Sequence, residues 1–226
     1  MELKYKNWND ITIEVYDRLR NLKCDLEYTT KQGFDTTEIE KSFELNVKLL
    51  SILCDVDEDT IGDLPLTEFS NLIAQTEFLK DMPKYTIETK YKIGDRDFDV
   101  QTNLRNLTTA QFIDFQTLVK DPDKNLSNLL ACFMLPKGKK YGEDYDIMEI
   151  AEYLKKHMSI ATARSIMFFF TLEYQALQKT ILRYSIKDLK KQMKKEKNEE
   201  TKKKLEEAIQ QMIRLNNLMV VGDGGI

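Results

Sequence analysis

The stretch SIATARSIMFFFTLEYQALQKTILRYSIKDLKKQMKKEKNEETKKKLEEAIQQMIRLNNLMV, Ser159 to Val220, holds neither proline nor glycine over its whole length. Nothing in it removes a backbone donor or adds a flexible joint, so it reads as helix throughout. It starts apolar nearly all round at Ile166, Met167, Phe168, Phe169 and Phe170. A helix of that kind is normally covered on every side, so this one is expected to be the central core helix of the C-terminal part. A lysine-dense segment follows, Lys187 to Lys204, and then an apolar stripe. Leu205, Ile209, Met212, Asn216 and Met219 are spaced alternately by four and three, which puts them on one helix face. A helical arm with an apolar far end needs a covering surface, either its own body or another chain. Leu205, Ile209, Met212 and Met219 are therefore the candidate partner-binding residues.

Ser159 is placed to cap the start of this region. Ser185 with Asp188 offers a second S-x-x-D start, which would let the arm bend near Tyr184. From Ile186 onward two arrangements fit: one rod, or a helical hairpin turning near Asn198. The middle of the segment is polar on every face.

Upstream the helical period continues. Ile11, Val15, Leu19, Leu22 and Leu26 share one face, with Asp10 or Thr12 as the cap. A second helix begins near Thr37, with Glu40 completing a capping box, and turns Phe43, Val47, Leu50 and Leu53 or Cys54 inward. A third runs from about Leu66 to Leu79 and buries Phe69, Leu72, Ile73 and Phe78. After Pro83 the period changes to two. Tyr85, Ile87, Thr89, Tyr91 and Ile93 alternate with polar residues, Gly94-Asp95 intervenes, and Phe98 and Val100 alternate again. This pattern predicts a β-hairpin whose first turn residue has positive φ. An isolated hairpin is marginal in water, so it must pack on helices or pair with another strand. Helices resume at Thr108, capped with Gln111, with Phe112, Phe115 and Leu118 or Val119 facing inward. Another covers Leu126, Leu129, Leu130 and Phe133, and one more opens at Asp146 with Ile147, Ile150 and Leu154 inside.

The fold predicted is mainly α: a helical bundle with one small hairpin at about residues 84–102 and a long C-terminal helical arm. The expected division is 1–104, 105–184 and 185–226, the last being the arm and a glycine-rich tail.

Composition excludes several classes of function. Over 226 residues the net charge is only -4, which does not suit a molecule held to nucleic acid by its overall field. The charge is uneven, however: residues 24 to 63 are acidic and Lys187 to Lys204 leans basic. That asymmetry can draw copies together head to tail, or face water as two solvated surfaces. The basic segment has no arginine and no interleaved aromatic residue, so it lacks the means to read or stack bases. Cys24, Cys54 and Cys132 are odd in number, widely spaced and set among apolar neighbours, as reduced core thiols are. No run reaches the roughly 18 apolar residues of a membrane span.

No motif for catalysis or a cofactor emerges. Asp55, Asp57 and Asp59 begin like a calcium loop, but Thr60 and Leu66 stand where an EF-hand needs glycine and glutamate, so an acidic helix-capping turn is expected. The loop Pro136 to Gly142 holds Lys137, Lys139 and Lys140 without the spacing of a phosphate loop. His157 is the only histidine and lies at a helix end, where a cation suits the macrodipole. The expectation is a protein that is not an enzyme and needs no cofactor or metal.

Several phrases carry a resemblance when taken in order. They are Trp8-Asn9-Asp10-Ile11-Thr12, Leu49 to Cys54, Tyr91-Lys92-Ile93-Gly94, Leu107 to Phe115, and Tyr145-Asp146-Ile147 leading to Phe168-Phe169-Phe170. The set resembles small tail and virion proteins of tailed bacteriophages, notably the crAss-like group. It is similar also to tail assembly chaperones, helical proteins that coat the tape-measure protein. The resemblance covers roughly residues 5 to 190. It implies an assembly protein made in the host cytoplasm. Its partners would be phage tail or virion proteins, the tape-measure protein among the candidates, and further copies of itself. The alternative it implies is a structural virion component, such as a neck or tail ring subunit or an internal cargo protein.

Overall fold

A computed structural model describes residues 1–31, 38–81, 86–122, 124–143 and 145–221, with side chains described over 1–22, 42–81, 86–122, 124–143 and 145–214. Among these the chain forms nine α-helices and three short strands. The first helices are α1 (Ile13–Lys31), α2 (Glu38–Cys54), α3 (Glu58–Gly62) and α4 (Leu66–Gln75). Then come β1 (Lys90–Ile93), β2 (Arg96–Val100), α5 (Thr109–Leu118), α6 (Leu126–Phe133) and β3 (Met134–Pro136). The last three helices are α7 (Ile147–His157), α8 (Ile160–Lys195) and α9 (Glu199–Val221). The chain is thus mainly helical, with one antiparallel sheet in the order β1-β2-β3. Thr37 of the expected cap, the strand position Tyr85 and the glycine tail lie outside the described residues, and Glu40 lies outside those with described side chains.

Two units divide the chain: Met1–Thr102 with Asn106–Phe168, and Asn103–Arg105 with Phe169–Ile226. The boundaries expected at 104/105 and 184/185 do not appear. The first is crossed by the sheet, because β3 pairs with β2 through Phe98–Pro136, Asp99–Leu135 and Val100–Met134. The second falls inside α8, which runs unbroken through Ser185. The Ser185–Asp188 start is not used, since a helix already formed on both sides has no reason to begin again.

In the first unit the core gathers around α6. Leu129, Leu130, Ala131, Cys132, Phe133 and Met134 are at most 1% exposed. Phe133 meets Phe115 edge to face at 5.2 Å. The capping box expected at the start of α5 is present, with Thr108 and Gln111 bonded reciprocally. Gln111 goes further than a cap residue usually does. It is buried, and its Nε2 donates to Gln101 Oε1 and to Cys132 O, each at 3.1 Å. Every polar atom of that amide is therefore used, which is the condition for burying it at all. Replacing Gln111 with leucine should lower stability by about 2–3 kcal/mol, since it removes the cap bond and strands the Cys132 carbonyl. Urea unfolding checks this; a loss below about 0.5 kcal/mol would contradict it.

The N-terminal segment is tied in from both sides. Ile13 N–H donates to Met158 O at 3.1 Å and Ile160 N–H to Ile11 O at 2.7 Å. This short bridge explains why Ile11, Ile13, Met158 and Ile160 are at most 1% exposed. Lys4 and Tyr5 donate their amides to Leu53 O at the end of α2. There the chain turns through Asp55, at φ +57°. Val56 N–H reaches Ser51 O and Asp55 N–H reaches Ile52 O, the bonding of a Schellman C-cap with aspartate in the place glycine usually takes. Asp57 then caps α3, accepting from Thr60 N at 2.8 Å. The aspartate cluster is thus a set of helix ends, as expected.

Three inner-face expectations need correction. Phe43 is 48% exposed; it covers one ring face on Phe69 at 4.9 Å and leaves the other open. The 64–80 region is a ten-residue α4 and then a 3-10 turn, Thr76–Lys80, instead of one helix to Leu79. In α8, Ile166 and Phe170 are buried while Met167, Phe168 and Phe169 are half-buried, so this helix is not covered on every side.

The hairpin turn is seated on α7 by one side chain. Gly94 has φ +56° while Asp95 is not in the positive region, the pattern of a type II′ turn. Tyr153 Oη donates its one proton to Asp95 Oδ1 at 2.5 Å, lies 2.9 Å from Ile93 O, and accepts from Asp95 N at 3.1 Å. Arg96 lies 4.2 Å above the Tyr153 ring and pairs with Glu149 at 2.9 Å. The His157 ring sits 4.4 Å from it. His157 closes α7, where it was expected.

The Tyr153 hydroxyl holds the Asp95 carboxyl below its usual range, and Lys4 and Thr60 do the same for Asp55 and Asp57. Such groups stabilise the fold above the unfolded carboxylate pKa, and the contribution is lost as pH falls through the lowered folded value. The unfolding midpoint should therefore be level above about pH 5 and decline below about pH 4. In Tyr153→Phe the decline should be shallower; an identical acid profile would contradict this assignment.

Candidate protein-binding surface of the C-terminal unit

The second unit contains Phe169 to Lys195 of α8 and the whole of α9. At 1.5 Å per residue the 36 residues of α8 extend about 54 Å. The helix ends at Lys195 because Glu196 Oε1 accepts the amides of Lys197 and Asn198 at 2.8 and 2.9 Å, taking them out of the helical ladder. Asn198 then caps α9, its Oδ1 accepting from Glu200 N at 2.9 Å and Thr201 N at 3.1 Å. Of the two arrangements left open by the sequence, the turn near Asn198 is the one adopted. Asparagine serves in place of the missing glycine or proline. As a result Lys190 and Met193 of α8 share a groove of about 700 Å³ with Lys203, Ile209, Ile213 and Arg214 of α9.

This geometry decides what the stripe on α9 can do. Ile209 is 4% exposed, so it is already covered in the single chain and does not stand free for a partner. Leu205 and Met212 are half-buried. The Met219 side chain lies outside the described residues. The freer apolar surface is on α8. Leu177, Ile181 and Tyr184 fall at i, i+4 and i+7, one face of the helix. Ile181 is 44% and Tyr184 69% exposed. Sequence reading missed them because the segment from Leu172 to Ile186 is apolar on several sides, with no contrast to mark the uncovered face.

The lysines nearby are solvated. Lys202, half-buried, pairs with Glu199 at 3.6 Å and Lys204 with Glu200 at 2.7 Å, the other three side chains being exposed, and such pairs contribute little to stability. Residues 169–226 hold twelve basic and eight acidic side chains, so with a whole-chain charge of -4 the first 168 residues carry -8.

Cys54 and Cys132 are buried free thiols. Burial pushes the Cys132 thiol up to about 11, which keeps it protonated and poorly nucleophilic at neutral pH. Among the described residues no three His, Cys, Asp or Glu side chains are grouped to hold a metal ion, and no helix is long and apolar enough to cross a membrane. The loop lysines are engaged in part: Lys137 lies 3.6 Å from Asp97, and Lys140 lies 3.9 Å from Glu143. No protein-family model, curated protein or solved structure matches this chain.

Proposed function

We propose that this chain is a bacteriophage assembly protein that binds tail or virion proteins, and further copies of itself, through apolar helical surface, in the manner of a tail assembly chaperone. One observation carries the binding part of this reading: Ile181 and Tyr184 stand exposed on one face of α8. Exposed apolar side chains that line up along a helix mark contact surfaces more often than scattered ones do. An amphipathic helix meets a partner through such i, i+4, i+7 anchors. The phage context comes from the sequence resemblance. A structural virion component is the second reading, favoured by the length of α8, since a long arm suits a fixed place among neighbouring subunits.

Quantitative mass spectrometry of infected-cell extracts and of purified particles tests the proposal. An assembly factor is expected to be abundant in extracts, in complexes with tail proteins, and nearly absent from particles. Many copies per particle would replace the first reading with the second. A chain found free of tail and virion proteins in both samples would overturn the proposal.

A further inference from the structure

We propose that a cavity of the first unit, between α5, α6 and the start of α7, receives an apolar segment of a partner polypeptide that carries Lys or Arg beside its apolar anchor. The inference rests on the reading that the chain binds polypeptides, and names the chemistry of one partner.

The cavity holds about 640 Å³, within the range of sites that enclose a small ligand or a few side chains. Leu118, Ile147, Met148 and the rings of Tyr141 and Tyr145 supply apolar wall. Among the described residues the ionisable groups on the wall, apart from the thiol and the phenols, are the acids Asp114 and Asp146, and no Lys or Arg lines it. Asp146 is committed through one oxygen to the α7 cap, accepting from Met148 N at 2.8 Å. Asp114 Oδ2 accepts from Tyr141 Oη at 2.7 Å, and Tyr141 Oη lies 3.8 Å from Cys132 Sγ. Burial, then the bond to Asp114, pushes the Tyr141 phenol up, so it remains a donor and holds the carboxylate in place. The other oxygen of Asp114 is left for an incoming cation. Asn128 adds an amide to the wall.

One feature favours a polypeptide over a small free molecule. Apolar surface continues past the cavity: Met148 is 60% exposed, and Ile113, one turn before Thr117 on the same face of α5, is 57% exposed. A partner that reaches across the mouth covers both.

The test uses the full chain and two fluorescein-labelled amphipathic helical peptides, one of leucine and lysine and one of leucine and glutamate. Anisotropy is measured at physiological salt, and Met148 is followed by methyl NMR. The lysine peptide is expected to bind and the glutamate peptide not to, with the Met148 methyl resonance shifting on titration. Asp114→Asn should weaken binding about fivefold, the loss of one partly desolvated ion pair. Asp63→Asn, which removes the same charge from the C-cap of α3, a residue that does not line the cavity, should leave it unchanged. Equal weakening by both variants would reduce the effect to general electrostatics and overturn the proposal. An unmoved Met148 resonance, equal binding of both peptides, or binding of neither would do so too. A variant altered on α8, Ile181→Glu with Tyr184→Glu, should keep peptide binding, so failure of this site and failure of the α8 surface are read separately.

Discussion

Replacing Phe133 with alanine is expected to lower the unfolding free energy of the first unit by about 4 kcal/mol, the usual cost of deleting a large aromatic side chain from a packed core. Phe133 is fully buried and closes α6, five of whose eight residues are buried. Its ring meets Phe115 edge to face, and its carbonyl accepts Gln101 N–H at 2.9 Å, at the point where α6 becomes β3. The cavity left behind would lie between the sheet and two helices, none of which can close on it without moving the others. Trp8 is the only tryptophan. Its indole N–H donates to Phe78 O at 2.9 Å and Asp81 O at 2.7 Å, so its fluorescence reports this unit in urea. A shift smaller than about 1.5 kcal/mol would show that α6 is less central than the burial pattern indicates.

Gly94→Ala is the second large effect, expected at about 2–4 kcal/mol from a left-handed backbone penalty together with lost hydrogen bonds. A Cβ built on Gly94 would stand 2.4 Å from Tyr153 Oη. A side-chain tip can often swing aside, but this hydroxyl is tied to Ile93 O and to both the amide and the carboxylate of Asp95. Relief of the clash therefore undoes the seat of the hairpin on α7. Combining Gly94→Ala with Tyr153→Phe checks the mechanism: the two losses should sum to clearly more than the double variant shows, because both remove the same contacts. Full additivity would mean that the glycine acts through its backbone alone.

How much of this was legible in the sequence depended on how local the cause was. The Thr108–Gln111 capping box, the acidic capping turn and the Ser159 cap are helix starts written within a few residues, and each forms as read, Asp57 accepting from Thr60 and Ser159 from Thr162. The turn at Gly94-Asp95 was equally local. β3 was not legible. Met134-Leu135-Pro136 is three residues long and follows α6 without a turn signal, and only the partner strand, more than thirty residues upstream, makes it a strand. Its edge position is also what tolerates Pro136, which has no N–H to give. The boundary between α8 and α9 was half legible. The polar residues 196–198 allowed a turn, and the choice was made by Glu196 and Asn198 accepting backbone amides. Candidate surface residues were the least legible of all. Leu205, Ile209 and Met212 gave a clear period, yet Ile209 is covered in the chain itself, while Ile181 and Tyr184 stand exposed in a stretch with no contrast to mark them. Periodicity identifies a face; only the fold says whether that face is already occupied.

Sedimentation velocity of the full chain beside an Ile181→Glu, Tyr184→Glu variant tests the association surface most directly. The wild-type chain should form concentration-dependent assemblies, and the variant should sediment as a 26.6 kDa monomer with unchanged helical circular dichroism. A wild-type chain that stays monomeric across the whole accessible concentration range, indistinguishable from the variant, would contradict the account.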